Sequence, residues 1–261
     1  MARVLKRSAV RIFSDVIFAI FLREIKSTFT DKFGLSWALI SPMIMITAMV
    51  VIRNPFDGGN THSMPTAFFV VYGVVLVQFF LGAFEKTSNA IQKNKPLYAF
   101  RQVQPISSVL AISFFELLNK IVLLAFLALL AYLFKFAPEV TNPLALLLIV
   151  FKVWVLSVSI GLLFSLSACF VPEVNKVKAI LTRPMFFISG IFFSLQDIPR
   201  KYWVYVDWNP LLHAVELARF YAYPAYGSVG VSAFYLNITT LTTLTLALCC
   251  YQISWKQAIS R

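Results

Sequence analysis

The sequence predicts an all-α, polytopic membrane protein. Six transmembrane helices are expected, with an amphipathic N-terminal helix at the membrane interface and short re-entrant helices before the last span. Three observations predict this. Of 261 residues, 59% are hydrophobic and only 13% are charged, far from the mixture that soluble domains carry. Uncharged windows recur that reach the roughly 20 residues needed to cross a bilayer. The 23 Lys and Arg, against 11 Asp and Glu, gather in alternate connecting segments, as the positive-inside rule requires. Such a composition excludes an ordinary soluble enzyme, a disordered tail and a collagen-like fibre.

Residues 1–33 form the first unit. Arg3, Lys6, Arg7 and Arg11 precede a short apolar run, Val16 to Leu22, which ends at Arg23-Glu24 with no small-residue cleavage site. That argues against a signal peptide. Phe13, Ile17, Phe21, Ile25 and Phe29 recur every four residues, with Asp15, Arg23, Lys26 and Thr30 on the other side. This pattern predicts an amphipathic helix over 10–33, lying in the membrane interface or packed on a partner.

Residues 34–252 form the membrane domain. The first span is Phe33 to Ile52, twenty residues without a charge. A Pro/Gly/Asn loop, 53–65, leads to the second span, Thr66 to Phe84. A polar segment, 85–105, precedes the third span, about 106–134. The fourth runs over about 144–171, after a short loop. Residues 172–183 are basic, and a short fifth span covers about 179–196. The sixth covers about 232–252, leaving a tail, 253–261. With both termini cytoplasmic, the inside segments hold seven, four, three and two Lys and Arg, sixteen together. The outside segments hold five: Arg53, Lys135, Arg200, Lys201 and Arg219.

No pattern of known catalytic chemistry appears. There is no G-x-x-x-x-G-K-[ST] phosphate loop, no G-x-S-x-G elbow and no H-E-x-x-H pair. His62 and His213 stand far apart, so no metal site and no catalytic residue is expected. Cys169, Cys249 and Cys250 lie in apolar runs, and their odd number argues against a disulfide framework. The aspartates are scattered. A membrane transferase acting on lipid pyrophosphates would cluster them around a divalent cation.

Three features remain. Glu116 and Lys120 are four apart on the third span and can pair; they line a polar path or position two helices. The segment 88–94 reads as a short helix ended by Pro96, and Leu97, Tyr98 and Phe100 follow. That apolar knob suits docking into a partner's groove, or rests on the bilayer. The segment 197–231 carries Tyr202, Trp203, Tyr205, Trp208, Tyr221, Tyr223 and Tyr226, broken by Pro199, Pro210 and Pro224. Such aromatics suit the headgroup level. They predict two short helices dipping into the outer leaflet, the alternative being a surface loop.

The order of several short stretches resembles a known family. These are Phe21-Leu22-Arg23-Glu24-Ile25-Lys26 before Trp37-Ala38 and Pro42, and Asn94-Lys95-Pro96-Leu97-Tyr98 through Pro105-Ile106. Asp197-Ile198-Pro199-Arg200-Lys201-Tyr202-Trp203 follows, then Trp208-Asn209-Pro210-Leu211 and Glu216-Leu217-Ala218-Arg219. Over nearly the whole chain they resemble the inner-membrane permease subunit of ABC-2-type transporters that export bacterial capsular polysaccharide. Ser41 departs from the glutamate that many relatives place before the first span's proline.

The resemblance implies a homodimer with two copies of a separate ATPase, where ATP and Mg would be held, and no cofactor in this chain. It implies a lipid-linked polysaccharide as substrate, and periplasmic and outer-membrane partners that carry it onward. Nucleic acid is not expected. Residues 88–100 would be the coupling helix, with Ile91, Asn94, Lys95, Pro96, Leu97 and Tyr98 facing the ATPase. Residues 197–231 would shape the outer exit. Arg23, Glu116, Lys120, Tyr202, Trp203 and Trp208 are the expected pathway residues, because charges steer an anionic polymer and aromatic faces stack on sugars. O-antigen, teichoic acid or a drug are alternative cargoes, and a membrane-embedded transferase is the alternative of another class.

Overall fold

The structure is a computed structural model that describes residues 8–30, 32–135 and 140–260. Arg3, Lys6, Arg7, Asp31 and Arg261 lie outside them, as do the side chains of Phe29 and Phe33. The long helices are α1 (Ala9–Thr30), α2 (Lys32–Asp57), α3 (Thr66–Ser88), α5 (Pro105–Leu133), α6 (Pro143–Phe170) and α9 (Ala233–Ser260). Shorter helices are α4 (Ala90–Lys93), α7 (Val174–Ile188) and α8 (Pro210–Ala222). A two-residue hairpin, β1 (Asn60–Thr61) with β2 (Met64–Pro65), joins α2 to α3.

Helix starts follow from local chemistry. The side chains of Asn142 and Asn209 accept the N–H groups of Ala145 (3.1 Å) and Leu211 (3.0 Å), and Pro143 and Pro210 occupy the first turn. An asparagine cap followed by proline satisfies one orphan donor and removes another. The bundle centres on α6, which packs against α3 on one side and α9 on the other, while α5 packs on α3 and α1. A Cβ on Gly161 would fall 1.9 Å from Thr87 Oγ1. The missing side chain therefore sets how closely α3 and α6 approach.

The bundle has two distinct ends. At the hairpin end, an apolar cluster includes Phe69, Val74, Phe79, Leu211 and Val215. At the opposite end the chain turns sharply between α3 and α5, forming an elbow, and Ile91, Tyr98, Ile112, Leu166 and Tyr251 pack together.

Among the described residues, five helices are long and apolar enough to cross a membrane: Leu39–Asp57, Thr66–Ser88, Pro105–Leu133, Pro143–Phe170 and Ala233–Ile259. Three expected boundaries need correction. The first span does not end at Ile52, because α2 continues to Asp57, held by an Arg53–Asp57 pair one turn apart at 2.5 Å. The last helix absorbs most of the expected tail and runs to Ser260. The fifth span, expected over 179–196, is instead the 15-residue α7, only ~22 Å long at 1.5 Å per residue. Its start lies in the basic segment, and beyond Ile188 the chain leaves helical geometry at Ser189-Gly190.

α1 is helical as expected and packs along α5. Ile20 and Glu24 form its buried stripe, and Phe18 and Leu22 face outward.

Candidate functional site

At the elbow end, α1 grips the connection between α3 and α5. The Glu24 carboxylate accepts Lys93 Nζ at 2.7 Å and Arg23 Nη2 at 2.9 Å. Arg23 also donates to the side-chain oxygen of Asn94. Asn94 is fully buried and donates to the Ala90 carbonyl at 2.8 Å. Burial alone would raise the Glu24 carboxyl, but the hydrogen bonds and charges of Lys93 and Arg23 outweigh it and hold the group below its ordinary value.

The elbow divides the residues expected to face a partner. Ile91, Asn94 and Tyr98 are buried in this chain's own core. The Ile91 N–H donates to Ser165 Oγ at 3.1 Å, and the Tyr98 hydroxyl to Ser108 Oγ at 3.0 Å. Burial pushes the Tyr98 phenol up to about 12, so it remains a donor. The surface presented is made by Gln92, Lys93, Lys95, Pro96, Phe100 and Arg101, with Leu97 half-buried. Phe100 is 61% exposed. The three buried residues shape this surface from below. A period-3.6 reading of 88–94 does not reveal that, because the segment folds back on α6 within one helical turn.

Glu116 is buried, and its ion pair is not with Lys120 as expected. It binds Lys86 from α3, and Asn119 donates to it at 3.2 Å. Lys120 lines the same cavity, with Lys86, Asn119 and Ser36. Sequence spacing points to the i+4 neighbour; the structure prefers a lysine on the neighbouring helix, whose side chain stays half exposed.

At the hairpin end the polar groups are locked. Arg219, counted above as an outside loop charge, is fully buried. It donates to the Phe69 carbonyl at 3.0 and 3.2 Å, to the Gly190 carbonyl at 2.8 Å, and to Glu216 at 2.9 Å. Its guanidinium lies 3.4 Å from the Phe69 ring centroid. Glu216 also accepts from Ser194 (3.2 Å) and from the Tyr226 hydroxyl (2.9 Å). A Cβ on Gly73 would fall 2.7 Å from Arg219 Nη2. Nearby, Asp197 accepts the Ser194 N–H at 2.8 Å, bonds His62 Nε2 at 2.7 Å and lies 3.5 Å from Arg53. Burial would raise Asp197, but these partners together hold it below its ordinary value.

The expected aromatics separate in the same way. Tyr202 and Trp208 are about half exposed. Trp203 folds back and donates to the Ile198 carbonyl at 2.8 Å. The Glu216–Arg219 pair, missed as a site, had a signal: opposite charges three apart inside an apolar helix. The Glu24–Lys93 grip had none, since its partners lie 69 positions apart.

Comparison with known proteins places this bundle. The family model for the ABC-2 type transporter matches residues 15–223. The chain belongs to the ABC-2 type transporter family. Two Escherichia coli proteins named polysialic acid transport protein KpsM are 33% and 34% identical to it, over 94% of this chain and 96% of theirs. The capsule polysaccharide export inner-membrane protein CtrC of Neisseria meningitidis serogroup B is 23% identical over 78% of this chain and 77% of that one. BexB of Haemophilus influenzae, with the same descriptive name, is 22% identical over 93% and 92%. An ABC-2 permease is a membrane-embedded transport subunit, not itself an enzyme, and works with an ATPase partner.

Proposed function

We propose that this permease moves a lipid-linked capsular polysaccharide across the bacterial inner membrane, through a channel between two copies, driven by two copies of an ATPase that holds ATP and Mg. The observation that carries this reading is similarity to the KpsM proteins along 94% of the chain. The elbow surface, Lys93 to Arg101, is the proposed ATPase contact. Periplasmic and outer-membrane proteins would take the polymer onward.

Our reading has six crossings with both termini cytoplasmic, and where segments meet supports it. Residues before α7 lie at the elbow end, where Gln92 Nε2 reaches the Ala168 carbonyl at 2.9 Å. Residues after it lie at the hairpin end, where Asp197 meets His62. In this reading α7 and the extended stretch beyond it carry the chain across, with the elbow cytoplasmic. α8 then enters the outer leaflet and returns, its Arg219 reaching Phe69 and Gly190. Tyr202 and Trp208 would stack on sugar rings at the exit, while Trp203 braces the turn behind them. Arg23, Glu116 and Lys120 belong to the cytoplasmic side of the path.

The test is polymer location in cells lacking this chain. Polymer retained in the cytoplasm at near-normal amount is expected. Polymer reaching the surface unchanged would overturn the reading, and absence of any polymer would favour a transferase.

A further inference from the structure

Two concavities share a wall on the flank formed by α2 and α5. The first is a cavity of about 270 Å³ at the elbow end, lined by Lys86, Glu116, Asn119 and Lys120 with Ser36 and Leu39. The second is an open groove of about 720 Å³, lined by Ser36, Leu39, Met43 and Thr47 of α2 and Phe126 and Leu130 of α5. Ser36 and Leu39 belong to both, so the polar cavity adjoins the apolar groove.

Depth and charge match one kind of molecule. From Ser36 to Ala48 the groove spans ~18 Å along α2, close to the ~15 Å hydrocarbon depth of one leaflet. From Glu116 to Leu133, where α5 ends, is ~25 Å, which sets Glu116 just inside the hydrocarbon boundary at the elbow end. Side chains on α5 tilt toward its start, so Lys120 aims at the headgroups. Among the described residues lining the cavity, two lysines meet one carboxylate, and Glu116 is engaged by Lys86. The cavity keeps an excess positive charge where a neutral head would leave it uncompensated.

We infer that this flank binds an anionic phospholipid of the adjoining leaflet, its phosphate beside Lys120 and Lys86 and one acyl chain along the α2–α5 groove. The inference needs the chain to be membrane-embedded and rests on the proposed function in placing this lipid at the cytoplasmic end of the path, where Glu116 and Lys120 stand; its test reads lipid binding and not transport.

The test uses the full permease with its ATPase partner in detergent. Binding of phosphatidylglycerol, phosphatidylcholine of the same chains, and inorganic phosphate is followed by native mass spectrometry. Phosphatidylglycerol should bind in preference to phosphatidylcholine. Lys120→Gln should weaken it about fivefold, and Glu116→Gln, which raises the positive excess, should strengthen it. Ala48→Trp, which fills the groove, should weaken it too. Equal binding of both lipids, or unchanged affinity in both charge variants, would overturn the inference. Displacement by inorganic phosphate at concentrations similar to the lipid's would assign the cavity to a free anion and overturn the acyl part. If Lys120→Gln fails to fold, Lys86→Gln, at a half-exposed position, gives the same charge test.

Discussion

The two ends of the bundle both carry ion pairs, and the pairs are of opposite kinds. At the hairpin end Arg219 and Glu216 are essentially inaccessible, with side-chain exposures of 0% and 1%. Every bond of that guanidinium goes to a carbonyl or to Glu216. At the elbow end the acids are buried but the bases are not: Lys86 is 51% exposed and Lys93 55%. A buried charge cannot leave its partner without losing several kcal/mol. A lysine half in water regains solvation when it leaves, and the buried carboxylate keeps one partner, Arg23 on Glu24 and Asn119 on Glu116, so these pairs part at lower cost than Arg219–Glu216. The hairpin end is therefore built to stay assembled, and the elbow end to let go and re-form. A transporter driven by a partner at the elbow needs that asymmetry, with motion entering at one end and a fixed frame at the other.

The largest effect should come from breaking the fixed frame. Arg219→Ala leaves Glu216 buried without its cation and the Phe69 and Gly190 carbonyls without a donor. Such a change costs about 3–5 kcal/mol, enough to remove most folded protein from the membrane. Arg219→Lys puts its three donors on one nitrogen and cannot span the acceptors that the planar guanidinium reaches from three, so it should retain an intermediate amount. Membrane level and melting temperature in detergent check both; normal level in Arg219→Ala would show that the pair is not structural. Gly73→Ala tests the same frame from α3. Its Cβ would meet Arg219 Nη2 at 2.7 Å and the Ile191 Cα at 3.2 Å, so a loss of about 1–3 kcal/mol is expected. A melting temperature equal to that of the native chain would refute it.

The difference between the ends also explains what the sequence reveals. Spans α2, α3, α5 and α6 are visible because each holds a predominantly apolar window long enough to cross a bilayer, so hydropathy finds them even where Glu116 and Lys120 interrupt α5. α7 is misplaced because it is short and begins with Lys176 and Lys178, and charge counting assigns those to a loop. Arg219 is misread for the same reason: a charge in an aromatic, proline-broken segment looks solvent-exposed until its carbonyl partners, 150 and 29 positions away, are known. The Glu24 grip is invisible because it is a meeting of two distant segments. At Ile91 and Tyr98, residue type alone does not say which side of a short helix faces in.

The elbow should respond in function rather than folding. Lys93→Glu places a second carboxylate against Glu24 and releases α1 from the elbow. Transport should fall several-fold while membrane level stays near normal, because Lys93 reaches solvent. The double exchange Glu24→Lys with Lys93→Glu should recover part of the activity. Recovery separates a mechanical link from a mere surface charge, and full activity in Lys93→Glu alone would show that α1 and the elbow need not move together.

The smallest effect lies between the two kinds, at Asp197. It is tied to Ser194, His62 and Arg53 but is about one-third exposed, so screening limits its contribution to about 1 kcal/mol or less. Its carboxyl is held below the ordinary value in the folded chain. The folded state therefore binds that proton less tightly than the unfolded chain. Stability from Asp197 is fully present above the ordinary aspartate value and is lost as pH falls through the lowered one. Asp197→Asn should melt slightly below the native protein at pH 7, and the two should converge in acid. If the gap persists unchanged at pH 3, the carboxylate charge is not what holds the hairpin. The link would then reside in the Ser194 and Tyr226 hydroxyls around Glu216, and the fixed frame would stop one layer short of the loop.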